Sequence, residues 1–413
     1  MNPRNQSNLL YDRACRVIPS GIYGHMAPGA GLPLDFPLYC QSAEGCRFTD
    51  VDGKEWYDFM CGFGAVLHGY KNPSVEQAVE DQREWGGVFN QPSSLMVELA
   101  EKLVSQIDFA DWAVFAKNGS DLTSWALRVT REQSGREYVV KARGAYHGVD
   151  AWCDPGLGGR ISSDRSHILE FEWNDFEELE SLFKQYSGKI ASVILTPYHH
   201  PSFAPSVLPD PSFWGSVENL CRTHETALIL DDVRCGWRLD DSGSHNYFGF
   251  TPDLAVYSKA LGNGYAISAC VGTEKFRDGA SDVFLTGSSW NDAYAMAASL
   301  ASLKLSIENR VASSVLTKGK FFCAQLEKLA NQFEIPLKMT GVPSMPYPWI
   351  DGDDNLYQIQ ALCKVAASHG LYFHPYHNWF ISDSMNDADM DVVLGLSQKT
   401  FEVFSDSFSR SER

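Results

Sequence analysis

Most of the chain reads as short apolar runs alternating with amphipathic stretches. Leu95–Gln106 carries apolar side chains at helical spacing. Trp112–Ala116 is a short strand-like run that leads into Asn118-Gly119-Ser120-Asp121, and Leu122–Glu132 is helical again. Tyr138–Lys141, Ala191–Leu195, Ala227–Asp231, Leu254–Ser258 and Ala269–Gly272 are apolar runs of strand length, with a helix at Phe213–Thr223 between the second and third of them. Strands separated by helices predict an α/β fold, with a mainly parallel sheet covered on both faces. In such sheets ligands bind beyond the carboxyl ends of the strands, and Asn118, Asp231 and Lys259 all fall there.

Around this core the pattern changes. Residues 19–33 hold Pro19-Ser20-Gly21, Pro28-Gly29-Ala30-Gly31 and Pro33, so the opening stretch is expected to be extended. Arg47–Val51 and Trp56–Phe59 flank Asp52-Gly53 and predict a hairpin. Asn72-Pro73-Ser74 starts a helix, and a long helix over about 292–309 closes the large domain. From Val311 onward, helices alternate with Leu337–Thr340, Pro346–Ile350 and Trp379–Ser382, which predicts a smaller α+β lobe. The expected division is 1–70 as an N-terminal segment packing with the small lobe, 71–310 as the large domain and 311–413 as the small one.

Composition narrows the class. The chain of 413 residues is 44% hydrophobic and 21% charged, which suits a globular protein with a large core. Thirty-four basic against 52 acidic residues give a formal charge of -18, which disfavours nucleic acid and anionic membranes as partners. Ten cysteines, at 15, 40, 46, 61, 153, 221, 235, 270, 323 and 363, show no CxxC and no metal-ligand spacing. They read as scattered free thiols of a cytoplasmic protein, and no metal is expected. Met1–Leu10 has no apolar signal core, and no run reaches the roughly 18 apolar residues of a spanning helix.

The candidate chemistry sits at the strand ends. Asp231 ends an apolar strand, and 28 residues later Lys259 sits in Ser258-Lys259-Ala260-Leu261-Gly262-Asn263-Gly264. A lysine and an acid so placed suit pyridoxal phosphate. The lysine forms a Schiff base with the aldehyde, and the acid keeps the pyridine nitrogen protonated. Each residue alone also has a plain reading. Asp231 suits an ion pair with Arg234 or Arg238, and Lys259 suits a surface lysine at a strand end. Gly119 and Ser120 suit either a phosphate cradle or an ordinary strand–helix turn. Tyr146, in Tyr146-His147-Gly148, suits either a ring stacked on a flat ligand or a loop aromatic covering the core.

Taken in order, Phe115–Asp121, Gly144-Ala145-Tyr146-His147-Gly148, Leu230-Asp231-Asp232-Val233-Arg234-Cys235-Gly236-Trp237-Arg238 and Ser258–Gly264 resemble the class-III, fold-type I pyridoxal-phosphate aminotransferases. The branch is the one near glutamate-1-semialdehyde 2,1-aminomutase. The resemblance implies that Lys259 carries the cofactor and shuttles protons, and that Asp231 pairs with the pyridine nitrogen. It puts Val233 and Tyr146 on the two ring faces, His147 beside them, and Gly119 and Ser120 at the phosphate. It also implies a homodimer in which the neighbouring subunit donates Thr286 or Ser288 to the phosphate.

Two departures bear on substrate. Relatives carry Glu-Pro where this chain has Thr196-Pro197-Tyr198-His199-His200, so His199 or His200 replaces a polar group there or faces solvent. The aminomutase's N-terminal arginine has no counterpart in Gly21–Ala27, which leaves Tyr23 and His25 as candidates. His377 and Asn378, in His374–Trp379, complete a polar substrate set. The expected function is amino transfer between a small polar amine or amino acid donor and a carbonyl acceptor. An intramolecular aminomutase uses the same residues, and a non-enzymatic binding protein of this fold is the third reading. The missing arginine favours transfer.

Overall fold

The computed structural model describes residues 5–26, 32, 36–156 and 158–411. Contacts divide the chain into two compact units, one of Pro73–Pro201 with Ser206–Ser314 and one of Met1–Asn72, Ser202–Pro205 and Val315–Arg413.

The first unit is built on a seven-stranded sheet. In chain order its strands are β1 (Trp112–Ala116), β2 (Tyr138–Ala142), β3 (Ile168–Phe171), β4 (Ile190–Leu195), β5 (Ala227–Asp231), β6 (Leu254–Tyr257) and β7 (Ser268–Gly272). In space they run β1-β7-β6-β5-β4-β2-β3. Only β7 is antiparallel, against both β1 and β6; the other pairings are parallel. The residues of β4, β5, β6 and β7 are all buried, as strands covered by helices on both faces must be. The Gly119–Ser134 helix covers one face, with Leu122, Trp125, Ala126 and Val129 against β-strand residues such as Ile229 and Val256.

This arrangement brings five loops to one edge. The loops that follow β1, β2, β4, β5 and β6 all leave the sheet at its carboxyl end, because those strands are mutually parallel or separated by β7 alone. The α/β reading of this region therefore holds. The edge strand β3 and the helix Phe176–Gln185 were not anticipated. That helix starts where Asp175 accepts the backbone N–H of Glu178 at 2.8 Å, a helix N-cap.

The second unit holds a four-stranded sheet. Arg47–Asp50 and Glu55–Asp58 pair antiparallel as the expected hairpin, Cys40–Glu44 flanks the first and Leu371–Tyr372 pairs parallel with the second. Leu337–Thr340 and Tyr347–Ile350 form a separate antiparallel pair. One expectation is corrected, and one helix was not anticipated: Asn5–Val17, ahead of the stretch expected to be extended, is helical, with the Asp52 carboxylate taking the N–H of Gln6 at 2.9 Å. The turn at 18–21 follows it, while residues 27–31 and 33 lie outside the described residues. The corrected expectation is Trp379–Ser382, which is not a strand. Its N–H groups go by turns to different segments, Trp379 to Pro346, Phe380 to Phe59 and Ile381 to Ser344, so no continuous ladder forms.

Candidate active site

The site grows from the end of β5. Asp231 is buried, and its Oδ2 lies 2.7 Å from His147 Nδ1, whose N–H donates to it. Oδ1 accepts the N–H of Val233 at 3.2 Å. The carboxylate thus pairs with a histidine from the loop after β2, not with Arg234 or Arg238. The next residue, Asp232, points the other way and takes the N–H and hydroxyl of Ser244, at 2.9 and 2.6 Å. Burial pushes that carboxyl up to about 7. Alternation along the strand end therefore gives two adjacent acids two separate surroundings.

His147 is clamped on three sides. Thr123 Oγ1 donates to its carbonyl at 2.7 Å, Asp231 holds Nδ1, and the Trp152 ring stacks on it at 6.0 Å. Its Nε2 is buried and, among the described residues, makes no hydrogen bond. Tyr146 beside it keeps 39% of its surface exposed.

The loop after β1 is shaped by glycine. A Cβ on Gly119 would come within 2.8 Å of Val233, so the helix start and the residue two beyond Asp231 touch as they do only with glycine here. Gly148 has φ +135°, and a Cβ there would meet Ser120 Oγ at 2.5 Å. Ser120 Oγ accepts the N–H of Val149, which ties the two loops together. The Asp121 carboxylate takes the N–H groups of Lys117 and Asn118, leaving the first-turn amides of Gly119 and Ser120 for an anion.

Lys259 follows β6 and opens a short 3-10 turn, Lys259–Gly262. Its φ is +50°, a left-handed conformation that a non-glycine residue adopts at a cost. It is half-buried, and among the described residues its amine makes no hydrogen bond and no ion pair. Burial first, and the Arg234 charge second, lower it to about 7, while Asp231 pulls the other way. An amine without a partner, partly neutral near pH 7, is ready for a carbonyl.

The loop after β4 sorts the two histidines. The backbone of His199 bridges to Val207, and its ring stacks on Trp173 at 5.7 Å, with burial lowering it to about 4. His200 is buried, with Nε2 lacking any hydrogen bond, and it is the histidine that feels both Arg234 and Lys259. Arg234, buried, donates from Nη1 to the His200 carbonyl at 3.3 Å. Sequence reading named His199 for the site and treated Arg234 only as an ion-pair partner of Asp231. Nothing in the spacing tells which of two adjacent loop histidines turns inward.

The remaining candidates divide between the two units. Thr286 and Ser288 are exposed on the loop between the Arg277–Asp282 and Ala293–Glu308 helices, and neither bonds to Lys259, Asp231 or Ser120. Tyr23, His377 and Asn378 belong to the second unit. Tyr23 is exposed, and the side chain of His25 lies outside the described residues. His377 Nδ1 bonds to the carbonyl of Asn378 at 2.9 Å, and its ring meets Phe63 edge-on. Asn378 is buried and donates to the carbonyl of Met345 at 3.1 Å, so its amide helps hold the loop in place.

The first unit thus presents an unpaired amine, a buried carboxylate, an exposed aromatic ring and a glycine-shaped helix start. Pyridoxal phosphate offers an aldehyde, a basic ring nitrogen, a flat ring and a phosphate, so the residues present fit it.

Comparison with known proteins gives the same family. The model of the class-III aminotransferases matches residues 33–384. The aminopentol aminotransferase of Sphingopyxis macrogoltabida is 36% identical, over 97% of this chain and 94% of its own. The 3-aminobutyryl-CoA aminotransferase of Cloacimonas acidaminovorans is 31% identical, over 94% of this chain and 95% of its own. Glutamate-1-semialdehyde 2,1-aminomutases match less well, at 27% identity. Among solved structures, the internal aldimine form of the FumI protein of Sphingopyxis sp. MTA144 superposes with a TM-score of 0.95 at 36% identity, covering 98% of this chain and 97% of that one. By sequence and by fold, this chain belongs to the class-III aminotransferases, fold-type I transferases that depend on pyridoxal phosphate.

Proposed function

We infer that the chain moves an amino group from a small polar, hydroxyl-bearing amine to a keto acid or aldehyde, with Lys259 as the reacting amine. The observation that carries this reading is the Lys259 amine: held in a left-handed turn, with no hydrogen bond or ion pair among the described residues, and lowered to about 7. Residues 71–310 form the cofactor-binding domain in this reading.

When bound, pyridoxal phosphate supplies an aldehyde that condenses with amines and an electron-poor ring that stabilises charge at the carbon losing its proton. The chain's residues do the rest. Asp231, fixed by His147, holds a proton on the ring nitrogen. Gly119 and Ser120 take the phosphate on their amides, and Val233 and Tyr146 confine the ring. Lys259 Nζ would remove the proton from the nitrogen-bearing carbon and return it one position away. The second substrate runs the same proton path in reverse.

Support for a hydroxyl-bearing donor comes from the relative named for an aminopentol. Support for a homodimer comes from the exposed Thr286–Ser289 loop, whose hydroxyls bond to none of Lys259, Asp231 and Ser120 of their own chain. A panel of amino alcohols and amino acids, each with pyruvate or 2-oxoglutarate, tests the function. At least one donor should give its carbonyl product together with alanine or glutamate. Isomerisation of one compound, with no carbonyl product from any donor, would replace transfer by aminomutase action.

A further inference from the structure

The two groups that would receive the ends of pyridoxal phosphate come from different strands. The phosphate-facing amides of Gly119 and Ser120 follow β1, and Lys259 follows β6. Between these strands lies β7, which pairs with both. The ladder between β1 and β7 stops at Ala116 and Ser268. Beyond it the backbones part, one running on to Gly119 and the other back through Ala266 towards Lys259.

One side chain spans that opening. Lys117 Nζ donates to the carbonyl of Ala266 at 3.0 Å and to the Asp292 carboxylate at 2.9 Å. The N–H of Lys117 donates to Asp121 at 3.2 Å, so its backbone is fixed together with that of Asn118. Asp292 is fixed too, since its other oxygen accepts the N–H of Tyr294 at 3.0 Å and caps the Ala293–Glu308 helix. The side chains of Lys117 and Asp292 are only 18% and 22% exposed, so solvent screens their attraction less than that of a surface pair.

Three further bonds hold the Lys259 loop. Ser258 Oγ donates to the Ile267 carbonyl at 2.8 Å, Ser302 Oγ to the Ala260 carbonyl at 2.9 Å, and the Tyr265 hydroxyl to Glu76 at 2.8 Å. These fix the loop to itself or to a helix. Of the four, only the bond from Lys117 ties it to the loop that faces the phosphate. Pyridoxal phosphate is small and stiff, and its ring sets the separation of aldehyde and phosphate. Receiving groups already held at that separation bind it without the cost of ordering two loops.

We propose that Lys117 is a positioning residue, a strut from the Ala266 carbonyl to Asp292 that sets the spacing between the Gly119–Ser120 amides and the Lys259 loop. It acts through those loops and touches neither cofactor nor substrate. The proposal rests on the reading that Lys259 and the Gly119–Ser120 amides receive the cofactor.

The test separates the whole cofactor from its parts. Apoprotein prepared from the holoenzyme is titrated with pyridoxal phosphate, with pyridoxal, and with inorganic phosphate as a competitor. In Lys117→Met the Kd of pyridoxal phosphate should rise about tenfold, the scale of one lost hydrogen bond to a charged group, while those of pyridoxal and phosphate each rise less than about twofold. Should that variant fail to fold, Asp292→Asn weakens the same strut while keeping the helix cap, and a smaller rise of the same pattern is expected. An unchanged Kd for pyridoxal phosphate overturns the proposal. So does a loss for pyridoxal or phosphate alone as large as that for the whole cofactor, because the damage then lies at one end and not in the spacing. Borohydride treatment of wild-type holoenzyme, with peptide mass mapping, tests the underlying reading separately. A mark on another lysine removes Lys259 from the reaction; a mark on Lys259 with unchanged cofactor affinity in the variants removes only the role of Lys117.

Discussion

Lys259 carries a pH signature that distinguishes it from the other lysines. Its folded value lies near 7, well below that of an ordinary lysine near 10. Below the folded value the amine is protonated and inert, and its neutral fraction falls about tenfold per pH unit. Above it the amine is free, and further alkali adds nothing. Uptake of pyridoxal phosphate by the apoprotein, followed by absorbance after rapid mixing, should therefore speed up with rising pH until about 7 and then level off. A rate still climbing towards pH 10 would mean that an unperturbed lysine does the capture. At this scale the sequence named the acid and the lysine as candidates but not their surroundings. His147 as the partner of Asp231 joins residues 84 apart, a pairing that local pattern does not encode.

At the scale of elements, the strand ends make the site, and they were legible. Every apolar run of the large unit anticipated as a strand is one, within about a residue or two at the ends, the usual boundary error. Buried strands announce themselves by unbroken apolar runs. The edge strand Ile168–Phe171 did not, because only Phe171 is fully buried and the stretch around it is polar. The small unit misled for a related reason. Trp379–Ser382 is apolar and buried like a strand, yet its backbone bonds are shared among several segments. The contact between the Gly119–Ser134 helix start and the loop after β5 gives a further prediction. Gly119→Ala places a methyl within 2.8 Å of Val233, forcing the phosphate-facing amides away from their place. Overpacking of this kind costs about 1–3 kcal/mol, so cofactor affinity should fall about fivefold or more. Pairing it with Val233→Ala should restore most of the loss, as read by equilibrium titration of apoprotein. A double variant no better than Gly119→Ala would show that the contact does not set the amides.

For the whole molecule, the proposed homodimer makes a prediction about the surface of the large unit. Trp85 and Phe284 are 78% and 75% exposed, and Val88, Phe89 and Val97 are also open. The segment of Trp85, Val88 and Phe89 is tied to the helix after the Thr286 loop: Ala293, which begins that helix, bonds to the carbonyl of Gly87, and Gly87 packs on Tyr294. Within the loop itself, Leu285 and Trp290 pack on the core while Phe284, Thr286 and Ser288 face out. In the proposed dimer these exposed apolar groups would be covered, since single soluble chains seldom leave large apolar patches bare. A self-complementary patch closes as a two-fold dimer. The wild-type protein should then sediment as a dimer of its 46.0 kDa chain. Phe284→Glu or Trp85→Glu should place an unpaired charge in the contact and shift it towards monomer. If the neighbour's Thr286 or Ser288 serves the phosphate, the monomeric variant should also bind pyridoxal phosphate at least about tenfold more weakly, the cost of one charge-assisted hydrogen bond. Sedimentation velocity with and without cofactor measures both. A wild-type monomer that holds cofactor as tightly as a dimer would refute the shared site, and a monomeric variant with undiminished affinity would leave the dimer but remove those hydroxyls from the phosphate.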